Sequence, residues 1–317
     1  MISVAIPIYN EEEILHLLHE RVSSVMNGIG EPWEVVYVND GSKDATFQLL
    51  LELQARDPHV VVVDLSRNFG HVGALTAGLQ TARGDAVVIM DGDLQDPPEV
   101  IPEMVDAWRS GAQVVTTIRR SRKESRKHLA LLFAAWYRVL GMMSEYPIPL
   151  NSGIFGLMDR KALDAFNALP EVNRYLPGVR AWIGYRTSIV YYDRDDRAGG
   201  EGKLNIASRI KYAWDAITGY SMKPIRFMTY AGAAAIMFGL LFAMVMLAFG
   251  GSSSHGTTAA VFFMGGVQLV CAGVLGEYIG RIYDQVRQRP LSLINHVYRS
   301  EAVSNREHEA EDAHIAA

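Results

Sequence analysis

The sequence predicts an α/β protein: an open, mainly parallel sheet covered by helices, followed by a two-helix transmembrane hairpin. Two observations carry the sheet. Short apolar runs rich in β-branched residues recur through the first 118 residues, and each leads into a stretch of helical spacing. The runs are continuous rather than alternating, which marks strands buried on both faces, and interleaved helices join such strands in parallel. A third observation carries the hairpin: two long apolar stretches without charge near the end of the 317-residue chain.

Taken in order, "ISVAIPI" forms the first strand and leads into an acid-started helix over 12–26. "WEVVYVND" is the second strand, followed by a helix over 45–56, and "VVVVDLS" the third, followed by a helix over 73–82. "DAVVIMD" is the fourth strand, with a helix over 98–110 behind it, and "AQVVTTI" the fifth. Ligands of open sheets bind beyond the carboxyl ends of the strands. The polar residues fall at those ends: Tyr9, Asn10 and Glu11; Asn39, Asp40, Gly41 and Ser42; Ser66 to Gly70; and Asp91, Gly92 and Asp93.

The fourth of these ends is unusual, because Val87 to Met90 runs straight into Asp91, Asp93 and Asp96. Like charges so close repel unless a cation sits among them. Residues two apart in extended chain face the same side, so Asp91, Asp93 and Gln95 can aim at one point. Hard oxygen donors of this kind suit Mg²⁺ or Mn²⁺ completed by waters and substrate phosphates. The plainer alternative is an acid-rich turn before the helix that Pro97 and Pro98 start.

Beyond the fifth strand, Arg119, Arg120, Arg122, Lys123, Arg126 and Lys127 form a cationic cluster, and an apolar segment follows it. A second basic amphipathic stretch, residues 205–225, precedes the hairpin, with Trp214 and Tyr220 as interfacial anchors. The first span, Phe227 to Phe249, holds 23 uncharged residues. As a helix it reaches roughly 34 Å, enough for a bilayer core of about 30 Å. The second covers about 259–280, and the connector between them has neither Lys nor Arg, whereas Lys223, Arg226, Arg281, Arg287 and Arg289 flank the pair. The positive-inside rule then places both flanks, and the large N-terminal portion, in the cytoplasm.

The domains expected are a sheet domain over 1–204, a juxtamembrane helix over 205–225, the hairpin over 226–281, and a C-terminal segment over 282–317 that is disordered after about residue 300. A net charge of −5 argues against a nucleic-acid partner, and the single cysteine, Cys271, excludes an internal disulfide and a cysteine zinc cluster. "MISVAIPIYNEEE" has no basic region before its apolar run and does not read as a signal peptide.

The stretches "IPIYNEEE", "VNDGSKDAT", "LSRNFGHVGALTAGL", "MDGDLQDPPE", "RAGGEGK" and "GEYIGRIYDQVRQRP" together resemble family 2 glycosyltransferases of the polyprenyl-phosphate type, a group that includes dolichol-phosphate mannose synthases and bacterial undecaprenyl-phosphate glucosyltransferases. The resemblance implies a GT-A-type, Rossmann-like catalytic domain. It implies inverting transfer of a sugar from a UDP- or GDP-sugar to a polyprenyl phosphate, on the cytoplasmic side of the inner membrane; a UDP-sugar is favoured, with UDP-glucose the first choice among glucose, N-acetylhexosamine, mannose and modified pentoses. Pro7, Tyr9, Glu11 and Asp40, with Asp91, would bind the nucleotide sugar; Asp91, Asp93 and Gln95 would hold Mg²⁺ or Mn²⁺. Arg119, Arg122 and Arg126, with Arg197 and Lys203 of the "RAGGEGK" loop, would bind the acceptor phosphate. Asp93 and Asp159 are the catalytic candidates. Asp159 either orients or deprotonates the acceptor or caps a helix. The stretch "NSGIFGLMDR" departs from the family pattern, which has acids near Asn151 and Ile154 and an arginine near Gly156. A homo-oligomer, a tetramer included, suits the small residues of the hairpin. Two rivals stand beside this reading. A dinucleotide-dependent oxidoreductase would need a Gly-x-Gly-x-x-Gly turn after the first strand, where "PIYNEEE" stands. A catalytically inactive membrane scaffold for a partner transporter or transferase would have no use for the acids at the fourth strand end.

Overall fold

The computed structural model describes residues 1–120, 152–171, 174–193 and 254–300, with single helical positions between 225 and 245. They fall into two compact units, one holding residues 1–120, 152–171, 174–193 and 290–300 and the other the helical positions before 246 together with 254–289.

The first unit is built on an eight-stranded sheet. Its strands are β1 (Ile2–Ile8), β2 (Trp33–Asn39), β3 (Val60–Leu65), β4 (Ala86–Ile89), β5 (Val114–Arg119), β6 (Ser152–Asp159), β7 (Thr187–Tyr192) and β8 (Ile294–Tyr298). In space they run β7-β5-β6-β4-β1-β2-β3-β8. The pairings β1–β2, β1–β4, β2–β3 and β5–β7 are parallel, whereas β6 is antiparallel to both β4 and β5, and β8 to β3. The crossover helices are α1 (Leu15–Ile29), α2 (Thr46–Arg56), α3 (His71–Thr81) and α4 (Ile101–Arg109), with α5 (Arg160–Ala168) and α6 (Leu176–Trp182) after β6.

Every residue of β1, β2 and β3 is buried, as continuous apolar runs require of strands covered on both faces. Leu15, Leu18, Val22 and Met26 form the buried stripe of α1 at helical spacing, and Gly30 ends that helix at φ 76°. Pro98 opens a short 3₁₀ turn that leads into α4, as a proline without an N–H does most cheaply at a helix start.

The sheet is wider than the sequence alone indicated. β6 separates β4 from β5, so the fourth and fifth strands are not neighbours, and β7 and β8 close the two edges. β8 brings residues from the expected C-terminal segment into the sheet. Val62 pairs with Tyr298 and Val63 with Val297; the Asn295 amide donates to Asp64 Oδ2 at 2.9 Å, and the Arg299 guanidinium meets Glu34 at 3.0 Å.

The second unit contains α7 (Ser254–Arg287). Its stretch Phe263–Arg287 is long and apolar enough to cross a membrane, and Phe263, Leu269, Val270, Leu275 and Ile279 are exposed along it. Arg281 donates to Glu277 one turn earlier at 2.9 Å. The expected first span is described at single positions only, all helical. The juxtamembrane stretch up to residue 224 and the tail after residue 300 lie outside the described residues.

Candidate active site

The carboxyl ends of β1, β2, β3 and β4 meet on one rim of the sheet, and the loops that leave them are laced together. Asn10, in a left-handed conformation at φ 54°, accepts the Lys43 amide at 2.8 Å, and the Glu11 amide donates to Thr46 Oγ1 at 2.9 Å. Glu12 accepts the Ala45 amide at 2.7 Å. The β1 and β2 loops are therefore tied to each other.

Asp40 organises the next loop. Its backbone N–H continues the ladder to Ile8 at 2.9 Å, while its carboxylate accepts the amides of Phe69 at 2.7 Å and Gly70 at 3.0 Å. Burial raises the Asp40 pKa above the ordinary carboxylate value, with these amides pulling the other way. Gly41 has φ 66°, and a Cβ there would stand 2.6 Å from the Asn68 nitrogen, so only glycine lets the two loops close on each other. Beneath them, Asn39 donates to Asp64 at 2.8 Å and accepts the Ser42 amide at 3.1 Å.

Asp91, Gly92 and Asp93 follow β4 after the buried Met90. A Cβ on Gly92 would stand 2.5 Å from Ile8 Cδ1 and 3.2 Å from the Pro7 carbonyl, which sets the turn tightly against the end of β1. Asp91 Oδ1 lies 2.7 Å from His71 Nε2 in the first turn of α3. Burial alone lowers the imidazole pKa, but the hydrogen bond and charge of Asp91 outweigh it and leave His71 above its ordinary value. Asp93 accepts the Gln95 amide at 3.2 Å, and Leu94 between them is buried at φ 57°.

Behind this turn Asp96 is fully buried and accepts the Tyr192 hydroxyl at 2.6 Å. Arg119 donates to the same hydroxyl oxygen at 3.0 Å and stands 3.9 Å from Asp96. Burial and the Asp96 charge raise the Tyr192 pKa, which keeps the phenol as the donor to Asp96. Arg119 thus reaches the rim from β5 on a held side chain.

Of the residues expected from sequence, Pro7, Tyr9, Glu11, Asp40, Asp91, Asp93 and Gln95 all lie at this rim, and Arg119 lies at the neighbouring end of β5. Arg122, Arg126, Arg197 and Lys203 lie outside the described residues. Asp159 is a correction. It pairs with Ala86 at the start of β4, five residues before Asp91, or roughly 17 Å along the strand. There it caps α5, accepting the Ala162 amide at 2.7 Å. Because β6 runs antiparallel, its last residue sits at the edge opposite the rim, and the capping role accounts for Asp159.

Among the described residues no group of three or more His, Cys, Asp or Glu forms a cation cage. Asp91 and Asp93 flank Gly92 as two partly exposed carboxylates. That donor set fits Mg²⁺ or Mn²⁺, which bind one or two carboxylates and fill their shells with water and phosphate oxygens.

Residues 3–166, the stretch that holds β1 to β5, β6 and these acids, match the model of glycosyl transferase family 2. The chain belongs to this family. Residues 223–282 of this glycosyltransferase match a second model, the GtrB C-terminal hairpin. It is 39% identical over 302 residues to the uncharacterized glycosyltransferase YkcC of Bacillus subtilis, covering 93% of this chain and 94% of that protein. It is 40% identical over 303 residues to an uncharacterized glycosyltransferase of Synechocystis, covering 94% and 95%. It is 38% identical over 305 residues to the SfII prophage-derived bactoprenol glucosyl transferase of Shigella flexneri, covering 94% of this chain and 98% of that protein.

Sequence reasoning missed Asp64, Tyr192 and Asn295 as supports of the rim of this transferase. Tyr192 ends a strand whose alternating exposure is legible only once β5 lies beside it, and Asn295 belongs to an edge strand.

Proposed function

We propose that this glycosyltransferase moves a sugar from a UDP-sugar, UDP-glucose being favoured, to the phosphate of a polyprenyl lipid such as undecaprenyl phosphate, with inversion at the anomeric carbon. The observation that carries this reading is the Asp91–Gly92–Asp93 turn, pressed against β1 at the rim where Asp40 fixes the β3–α3 loop. The bactoprenol acceptor in the name of the Shigella relative supports the lipid half.

The nucleoside lies over the β1 and β2 loops, beside Pro7, Tyr9, Glu11 and Asp40, and the diphosphate faces Asp91 and Asp93. Asp91 and Asp93, with Gln95 alongside, would hold Mg²⁺ or Mn²⁺ there, and the cation would supply charge stabilisation to the departing diphosphate. An acceptor phosphate oxygen attacks the anomeric carbon as the bond from that carbon to the donor β-phosphate oxygen breaks, and UDP leaves with the bonding pair. The attacking oxygen is already anionic at neutral pH, so no proton need be removed, consistent with the absence of Asp159 from the rim. Arg119, braced by Tyr192 and Asp96, holds the acceptor phosphate in this reading.

The hairpin model match over 223–282 and the apolar stretch Phe263–Arg287 support anchorage in the plasma membrane. The flanking Lys and Arg favour a multi-pass arrangement with the sheet unit in the cytoplasm. Subunit association through small residues of the hairpin belongs to the same reading.

The test is transfer of radiolabelled sugar to undecaprenyl phosphate by the purified chain in detergent, across UDP- and GDP-sugars, with Mn²⁺, Mg²⁺ or EDTA. A labelled lipid formed from UDP-glucose and abolished by EDTA is the expected result. A folded chain that forms no lipid product from any donor would sink this reading and return the scaffold alternative to the front.

A further inference from the structure

Arg180, in α6, is 2% exposed, yet its guanidinium is poorly matched. Its Nη2 donates to the Gly153 carbonyl, while Nε and Nη1 are buried and, among the described residues, have no hydrogen-bond partner. Among the described residues no ion pair to a carboxylate forms at this cation either. The neighbouring buried arginine, Arg174, differs: it donates to the Leu169 and Glu171 carbonyls and lies 5.0 Å over the ring of Phe166.

The slot holding Arg180 is built for it. Gly156 pairs with Ile89 of β4 and Thr116 of β5, and a Cβ at Gly156 would collide with both the Val115 carbonyl oxygen and the Arg180 guanidinium. The missing side chain on β6 is the room that the guanidinium fills. Above it, Arg119 Nη2 stands 3.1 Å from where a Cβ on Gly153 would be, so two guanidinium groups flank one residue. Ser152 and Gly153 are partly exposed at the carboxyl end of β5, where Ser152 pairs with Ile118.

A buried, incompletely bonded cation costs desolvation free energy that a single carbonyl does not return. Two like charges around one residue add repulsion. Burial pushes the Arg180 pKa down to about 10, which leaves it charged at neutral pH. Such a site is stabilised when an anion arrives.

We propose that Arg180 supplies the buried positive charge of a phosphate subsite at the Ser152–Gly153 corner of the rim, shared with Arg119. The proposal rests on the transferase reading, which brings two phosphate sources to this rim: the donor diphosphate and the lipid phosphate monoester. Arg180 acts from beneath the Gly153 backbone, where the low dielectric lets a charge be felt across one layer of chain. Position 156 of β6 is thereby left bare so that α6 can deliver the cation.

The experiment uses the full chain in detergent with Arg180→Met and Arg180→Lys. Initial rates are measured against UDP-glucose and undecaprenyl phosphate separately, and thermal melting with and without inorganic pyrophosphate. Arg180→Met is expected to melt no lower than the native chain, since it removes an unpaired buried charge, and to lose about ten- to a hundredfold in kcat/KM. Arg180→Lys is expected to recover part of the loss. A rise in KM confined to the lipid assigns the acceptor phosphate; a rise confined to UDP-glucose, with a smaller pyrophosphate shift in melting, assigns the diphosphate. If Arg180→Met melts lower while kcat/KM for both substrates stays native, Arg180 is a brace for Gly153 and the proposal is overturned. If Arg180→Met does not fold, the neutral Arg180→Gln takes its place, and native KM values with a native pyrophosphate shift in that chain overturn the proposal equally. A native chain that makes no lipid-linked sugar breaks the transferase reading, and the pyrophosphate shift of the two variants still judges Arg180.

Discussion

At the amino ends of β2 and β4 the acids are Glu34 and, through β6, Asp159; at the carboxyl end of β4 they are Asp91 and Asp93. Glu34 takes the Ser3 hydroxyl, the Arg83 amide and the Arg299 guanidinium, and Asp159 takes the first turn of α5. Asp91 and Asp93 instead stand at a partly exposed turn, with a half-exposed imidazole on the first and a turn amide on the second. Acids at one edge of the sheet are spent on holding the fold, and those at the other stay partly exposed at the strand ends beyond which ligands of open sheets bind.

The contrast breaks first at Asp93. Asp93→Ala should lower transfer by roughly 10²- to 10³-fold, the scale on which lost charge stabilisation acts, with the melting temperature kept. A fall in melting as large as the fall in rate would put Asp93 on the structural side. Glu34→Ala is the converse test: removing one partner of this buried ion pair should cost about 3 kcal/mol of stability in a denaturant titration. Transfer per folded molecule should stay native, and a selective loss of rate would erase the distinction between the edges.

Asp159→Ala sharpens it further. Loss of a helix cap costs about 1 kcal/mol, and Asp159→Asn should restore it because asparagine caps equally well. Transfer that collapses in both variants without loss of stability would return Asp159 to the chemistry. The smallest effect belongs to His71. Its pKa is raised in the fold, so its contribution is complete below the ordinary value of 6.5 and fades as pH climbs through the raised one. In EDTA the native chain should therefore lose slightly more melting temperature from about pH 6 to about pH 8 than His71→Gln. Parallel melting curves would show that Asp91 does not hold the imidazolium.

The same contrast explains what the sequence could disclose. "VVVVDLS" and its companions announce buried strands by composition alone, and Asp40, Asp91 and Asp93 announce a rim because each ends such a run. Asp159 also ends an apolar run, and by that rule it belongs at the rim. Strand direction is what separates it from Asp91, and direction is a property of the assembled sheet, carried by no residue of "SGIFGLMD". β7 and β8 were hidden for a related reason. "INHVY" is short and half polar, and its hydrogen bonds become worth making only when the edge of β3 is beside it. Arg180 has no local pattern at all, since the slot that explains it is the absence of a side chain on another element.

β8 lies 231 residues from the aspartate it grips and Arg299 lies 265 from Glu34, with the long apolar helix made in between. On the ribosome the outer edge of β3 is therefore synthesised early and sealed late, after the whole of α7 has been made. Until then the nascent sheet presents a row of unanswered amides and carbonyls, the kind of template on which chains aggregate. Synthesis of α7 and completion of the sheet are thereby ordered in time: a chain cut short before β8 carries the apolar helix and the open edge together, a combination that chaperones and proteases can recognise.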